Sequence, residues 1–199
     1  MNKNILESIS SLLNTTLTGT NDSDQHVMTL FAIAIQTKSR RILELGVRDG
    51  TTTLPLLLGA SLCDGKLTSV DLNKTSFSTP PEFEKYHEFI QDNAISFLQK
   101  SVDSNKIYDL IFIDDDHNYE HVKKEMEYVT KLMTGSTLVL LHDLMAEGCE
   151  PNYRYGNRDG FANGGPYRAI YELDINEYEW ATIPVNNGLT ILRKRTLAI

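Results

Sequence analysis

Arg41-Ile-Leu-Glu-Leu-Gly46-Val-Arg-Asp-Gly50-Thr-Thr-Thr53 is the stretch that decides the fold. It opens as a short apolar run, too short for a helix and without polar alternation. Such a run suits a strand buried on both faces of a parallel sheet. Gly46 ends the strand and Gly50 follows within one turn. Glycines at these places let the backbone turn sharply and approach a ligand closely. Beyond them the apolar spacing becomes helical. Strand, glycine loop and helix together open a doubly wound α/β sheet.

The rest of the chain extends that pattern. Further strands are expected at Lys66–Asp71, Glu88–Gln91, Tyr108–Asp114 and Ser136–His142. Helices are expected over Thr51–Ser61, Asn93–Lys100 and Asn118–Met133. In the last, Val122, Met126, Val129 and Met133 line one face, and Gly135 stands where a helix-ending glycine belongs. Asp22–Lys38 reads as an amphipathic helix on Val27, Leu30, Phe31, Ala34 and Ile35, with Asp22 and Gln25 as a reciprocal cap. Met1–Leu17 is a weaker helix. Strands alternating with helices give a Rossmann-like, mostly parallel sheet with helices on both faces. Tyr178–Val185 and Gly188–Arg193 are joined by Asn186-Asn187-Gly188, a hairpin signal, so the sheet is expected to finish with an antiparallel strand pair.

One domain over residues 1–199 is expected, with its N-terminal helices in 1–38. Residues 146–165 form a glycine-rich stretch without periodicity, read as a lid over the active edge. There Tyr153, Arg154, Tyr155 and Arg158 would meet a sugar, carboxylate or phosphate. Pro166 restarts a helix.

The 199 residues are 41% apolar and 23% charged, as in a soluble globular protein, with a net charge of −8. That charge argues against a nucleic-acid partner held by phosphate contacts. No apolar run is long enough to span a membrane, and no signal-peptide core is present, so no membrane partner is expected. Cys63 and Cys149 form neither a zinc pattern nor a disulfide framework, which points to the reducing cytoplasm. A homo-oligomer is compatible with these features.

Open α/β sheets bind ligands at the carboxyl ends of their strands. Those ends carry Gly46 to Thr52, Asp71, Asp92, Asp114 and His142-Asp143. One acid has a plain reading as a turn or cap residue; a whole row of them points to a site. Asp71 lies 21 residues after Gly50, close to the spacing of a carboxylate that binds ribose hydroxyls.

Glu44-Leu-Gly-Val-Arg-Asp-Gly50-Thr-Thr resembles the first motif of class I S-adenosylmethionine-dependent methyltransferases, and the likeness extends from Arg40 to Arg193. Dinucleotide dehydrogenases have a middle glycine where Arg48 stands. The resemblance implies S-adenosylmethionine as cofactor. Gly46 and Gly50 would lie against its methionine part, Val47, Arg48 and Thr51 would also be cofactor-binding, and Glu44 would anchor that region directly or through water. Asp71 and Leu72 would hold the ribose, Asp92 would face the adenine, and Asn93 would assist or only cap the next helix.

Phe112-Ile-Asp114-Asp-Asp-His117-Asn-Tyr-Glu120 is similar to a bacterial small-molecule and sugar O-methyltransferase group. That group includes macrolide-sugar O-methyltransferases and cephalosporin hydroxylase-like proteins, and the catechol O-methyltransferase type has a similar strand end. The resemblance implies a small hydroxylated acceptor, Asp114 and His117 near the transferred methyl, and a divalent ion, Mg2+ or Mn2+, on Asp114, His142 and Asp143. Such an ion acidifies and orients a hydroxyl. His142 departs from the usual acid and is a softer ligand. It favours Mn2+, or it signals that no metal binds; His117 would then be the general base. A cofactor-binding protein without chemistry and an NAD-dependent oxidoreductase stay open as alternatives. His26, His87 and His121 show no partner in the sequence and read as structural or solvated.

Overall fold

The computed structural model describes residues 3–146 and 164–195. The strands are β1 (Arg41–Leu45), β2 (Lys66–Asp71), β3 (His87–Gln91), β4 (Leu110–Ile113), β5 (Leu138–His142), β6 (Tyr178–Ile183) and β7 (Leu189–Lys194). The helices are α1 (Lys3–Thr18), α2 (Val27–Gln36), α3 (Thr53–Leu62), α4 (Ala94–Asp103), α5 (Tyr119–Leu132) and α6 (Gly165–Tyr171).

All seven strands join one sheet in the order β3-β2-β1-β4-β5-β7-β6. The strands from β1 to β5 run parallel, and β7 runs antiparallel between β5 and β6. Alternate residues of the central strands enter two separate cores. Ile42, Leu67, Leu110, Phe112 and Leu140 pack with Leu12, Leu30 and Leu56 from α1, α2 and α3. Leu43, Leu45, Val70, Ile111, Ile113, Val139 and Leu141 pack with Leu98, Val122, Met126 and Ile170 from α4, α5 and α6. Each such side chain contributes about 1.5–3 kcal/mol when fully buried. Both faces are therefore covered, which explains the continuous apolar runs. The result is the Rossmann-like, mostly parallel sheet with helices on both faces and a terminal antiparallel pair.

The chain leaves β1 toward β2 and β3, then returns to β4 on the other side of β1. A crevice opens at the carboxyl ends where the winding reverses. Two backbone bonds fix its rim: Gly46 N donates to Val70 O at 2.9 Å, and Asp114 N donates to Leu45 O at 2.9 Å.

Three local expectations are corrected. The helix expected from Asp22 starts at Val27 and follows a 3-10 turn over Asp24–His26. No Asp22–Gln25 cap forms. Instead Asp24 Oδ2 accepts from Asn21 N at 2.8 Å, a side-chain turn that competes with the helix. Finally, α5 does not end on a left-handed Gly135. Met133 turns extended (φ −79°, ψ 135°), and Thr137 Oγ1 takes up Thr134 N. The hairpin forms as expected, with Asn186 (φ 50°) and Gly188 (φ 84°) left-handed in its turn. Most of the expected lid, including Tyr153, Arg154, Tyr155 and Arg158, lies outside the described residues. Among the described residues no helix is long and apolar enough to cross a membrane.

Candidate active site

The loop after β1 is built on left-handed residues: Gly46 (φ 88°), Arg48 (φ 49°) and Gly50 (φ 86°). A Cβ at residue 46 would collide with the Asp114 carbonyl, and one at residue 50 would collide with the Phe77 ring. The turn aims its amides at β2. Val47 N and Arg48 N donate to Asp71 Oδ2 at 2.9 and 3.1 Å, while Asp71 Oδ1 accepts from Asn73 N at 2.8 Å.

Glu44 lies beneath the loop, fully buried. Thr52 Oγ1, Thr53 Oγ1 and Ser69 Oγ donate to its carboxylate at 2.8, 2.9 and 2.6 Å. Burial outweighs those three bonds and pushes the carboxyl up to about 7. Glu44 thus braces the start of α3 against β2 from below.

A cavity of about 310 Å3 opens at this edge. Gly46, Arg48, Asp71, Leu72, Asn93 and Asp114 line it, together with Asp115, Asp116 and His121. A second cavity of about 20 Å3 lies between Asn21–Ser23 and the loop residues Val47, Arg48 and Thr51. It has room for a single water. Asn93 Oδ1 caps α4 by accepting from Ser96 N. Asp92 is not among the lining residues of the large cavity. It accepts from Lys100 Nζ at 2.7 Å, which holds its carboxyl below the usual range.

The densest polar cluster joins the ends of β4 and β5. His117 Nε2 lies 2.5 Å from Asp143 Oδ2 and 3.6 Å from Asp114 Oδ1. His142 Nδ1 lies 3.2 Å from Asp143 Oδ1 and 3.5 Å from Asp114 Oδ1. Burial opposes charge on both imidazoles, but the two carboxylates outweigh it and raise each to about 10. Burial likewise opposes charge on Asp114 and Asp143. The histidines reverse that effect and hold both acids below the usual range. Asp143 is buried and left-handed (φ 68°), an uncommon conformation for a side-chain-bearing residue. Both His142 nitrogens and Asp143 Oδ1 are buried without a hydrogen bond. Asp22, His142 and Asp143 form one set of convergent donors, and Asp114, His117 and Asp143 form another.

A family model described as a methyltransferase domain matches residues 43–144, just over half of the chain. The chain belongs to this family. It is a class I S-adenosylmethionine-dependent methyltransferase, which decides against the oxidoreductase alternative. A search of curated proteins finds no match. Solved structures give the same fold at low identity. An O-methyltransferase from Bacillus cereus in complex with SAH is 17% identical, with a TM-score of 0.68 over 98% of this chain and 92% of that one. The O-methyltransferase TomG from Streptomyces achromogenes, involved in tomaymycin synthesis and solved with SAM, is 15% identical at TM-score 0.67, covering 98% and 91%. The SAH-bound methyltransferase PaMTH1 from Podospora anserina is 17% identical at TM-score 0.63, covering 98% and 89%.

The methyltransferase fold gathers Asp114, His117, His142 and Asp143 into one cluster and places Asp71, Leu72 and Asn93 around the large cavity. Its site also includes residues that the sequence did not single out. Asp22 faces His142 and Asp143, held by Asn186 Nδ2 and Asn187 Nδ2 of the hairpin turn. Ser23 Oγ donates to Asp114 Oδ2 at 3.3 Å. His26 sits edge-on to His142, with ring centroids 5.3 Å apart. Nothing local marked these residues, because a tertiary contact between the hairpin turn and the N-terminal segment brings them in.

Proposed function

We propose that this single domain methylates the oxygen of a small hydroxylated acceptor, sugar or metabolite, with a divalent ion held by Asp114, His142 and Asp143. One observation carries the reading: a buried imidazole and two acids converge at the ends of β4 and β5, with His142 Nδ1 and Nε2 and Asp143 Oδ1 buried and making no hydrogen bond. Buried polar atoms without partners are costly, and such a donor set suits a cation. A bound Mg2+ or Mn2+ supplies Lewis acidity that makes a hydroxyl a better nucleophile.

The chain's own residues bind and position. Gly46, Val47, Arg48, Gly50 and Thr51 leave room for the methionine part of the cofactor, with Glu44 bracing them from below. Asp71 and Leu72 bind the ribose, and Asn93 closes the adenine end, while Asp92 is held away from the cavity by Lys100. The acceptor oxygen attacks the methyl carbon, the sulfur–carbon bond breaks, and its electron pair stays on sulfur. His117, which Asp114 and Asp143 keep protonated up to about pH 10, takes the hydroxyl proton only in its deprotonated form, so transfer by this route rises with pH toward that value.

The His117–Asp143 contact also favours a second, metal-free reading in which that dyad alone activates the acceptor. Methyl transfer from labelled S-adenosylmethionine to a panel of hydroxylated acceptors, with and without exhaustive chelation, separates the two. Loss of transfer on chelation and recovery with Mg2+ or Mn2+ supports the metal; full transfer after chelation supports the dyad. Cofactor binding with no transfer to any hydroxylated acceptor would overturn O-methylation of this acceptor class.

A further inference from the structure

Asp115, His121 and Glu125 share no residue with the cluster above. Asp115 leaves the end of β4, while His121 and Glu125 stand one helical turn apart on α5 and so share a face. Their donor atoms all lie within 4.8 Å of one another. His121 Nε2 is 3.2 Å from Asp115 Oδ2 and 3.6 Å from Glu125 Oε1.

Glu125 needs an explanation. It is fully buried, and neither carboxyl oxygen makes a hydrogen bond. Asp115 Oδ1 is buried and unpaired as well. A buried carboxyl whose oxygens make no hydrogen bond is costly. Burial, then the adjacent Asp115 charge, pushes Glu125 up to about 8. His121 Nε2, 3.6 Å from Oε1, offsets that burial only in part.

We propose that Asp115, His121 and Glu125 form a second metal site, suited to Zn2+ with water as its fourth ligand. Zinc bonds of about 2.0–2.2 Å in a tetrahedron set neighbouring ligand atoms about 3.4 Å apart. The two histidine–carboxylate separations straddle that value. Imidazole with two carboxylates is a zinc set rather than a magnesium set. His121 Nδ1 faces Asp116 Oδ2 at 3.8 Å, the arrangement in which an outer carboxylate orients a metal-bound imidazole. The ion ties α5 to the loop after β4, in the wall of the 310 Å3 cavity that Asp115 and His121 line. The site shares no ligand with the residues proposed to hold the methyl-transfer metal, borders the cavity proposed for the cofactor, and holds whether or not that reaction uses a metal.

The test is zinc stoichiometry of the full chain by calorimetry, with elemental analysis after desalting. Glu125→Gln keeps the size of the side chain and replaces an acid that is neutral without the ion, so circular dichroism should show a folded protein. It should bind one zinc equivalent fewer than the wild type, whereas Asp143→Asn should retain the Glu125-dependent equivalent. Equal stoichiometry in wild type and Glu125→Gln overturns the site, as does a wild type whose entire zinc uptake is removed by Asp143→Asn. Should Glu125→Gln fail to fold, His121→Ala is read by the same criterion.

Discussion

Asp143 Oδ2 lies 2.5 Å from His117 Nε2, so the end of β5 is joined to the loop that opens α5. Asp143 occupies that place in a left-handed conformation, with its N donating to Gly188 O of the hairpin turn at 3.1 Å. The terminal antiparallel pair therefore shapes the cluster proposed as the reaction end of the site, not only the edge of the sheet. Asp143→Asn keeps the size of the side chain and removes the charge. Its kcat should fall by about 100-fold or more, and dependence on Mg2+ or Mn2+ should be lost. Affinity for S-adenosylhomocysteine, read by calorimetry, should hardly change. An unaltered kcat would detach Asp143 from the chemistry.

Asp71 gathers the amides of Val47 and Arg48 and also lines the 310 Å3 cavity proposed for the cofactor. Hydrogen bonds to a charged group contribute about 1.5–3 kcal/mol each. Asp71→Asn should therefore weaken S-adenosylhomocysteine binding by roughly 10- to 100-fold in a calorimetric titration. Retained affinity would move the ribose contact to another residue.

Gly46 combines a left-handed backbone with a close approach to the Asp114 carbonyl. Gly46→Ala should cost about 1–3 kcal/mol in denaturant unfolding, because strain and collision act together. Cofactor binding should disappear in the same variant, since β1 and β4 must part to admit the methyl. Wild-type stability in Gly46→Ala would contradict the packing described.

Glu44 makes stability depend on pH with a definite sign. Its carboxyl is raised from 4.5 to about 7 in the folded chain, so between those values the folded state holds a proton that the unfolded state has lost. Stability from this group is fully present below about pH 4.5 and is lost as pH rises through 7. The full effect is on the order of 3 kcal/mol. Urea unfolding between pH 4.5 and 8 should show a shallower fall for Glu44→Gln than for the wild type. Parallel curves would show that Glu44 does not titrate this way.

Much of this architecture was legible because strand burial leaves a strong trace. The runs around Leu43, Ile111 and Leu140 are apolar on both faces, and Asn186-Asn187-Gly188 carries its own turn chemistry. The glycine loop and the acids at strand ends were legible because α/β topology fixes where strand ends meet. Asp22, Ser23 and His26 were not. Their sequence context reads as a helix start, and only the docking of the hairpin turn on that segment gives them a role. In the sequence His121 reads as structural or solvated, because Asp115 lies in a loop and Glu125 is one turn further along α5. Neither spacing reveals that Glu125 is fully buried with no hydrogen bond to either carboxyl oxygen. Glu44 was expected at the cofactor, but the pleat turns it toward α3, where Thr52 and Thr53 satisfy it.

The most direct measurement is a crystal structure of the full chain soaked with S-adenosylhomocysteine and Mn2+, with anomalous data collected at the manganese edge. The expected result is cofactor density along Gly46, Asp71 and Leu72, with an anomalous peak bounded by Asp114, His142 and Asp143. Bound cofactor with no anomalous peak at that place, under saturating Mn2+, would contradict metal-assisted transfer at these residues.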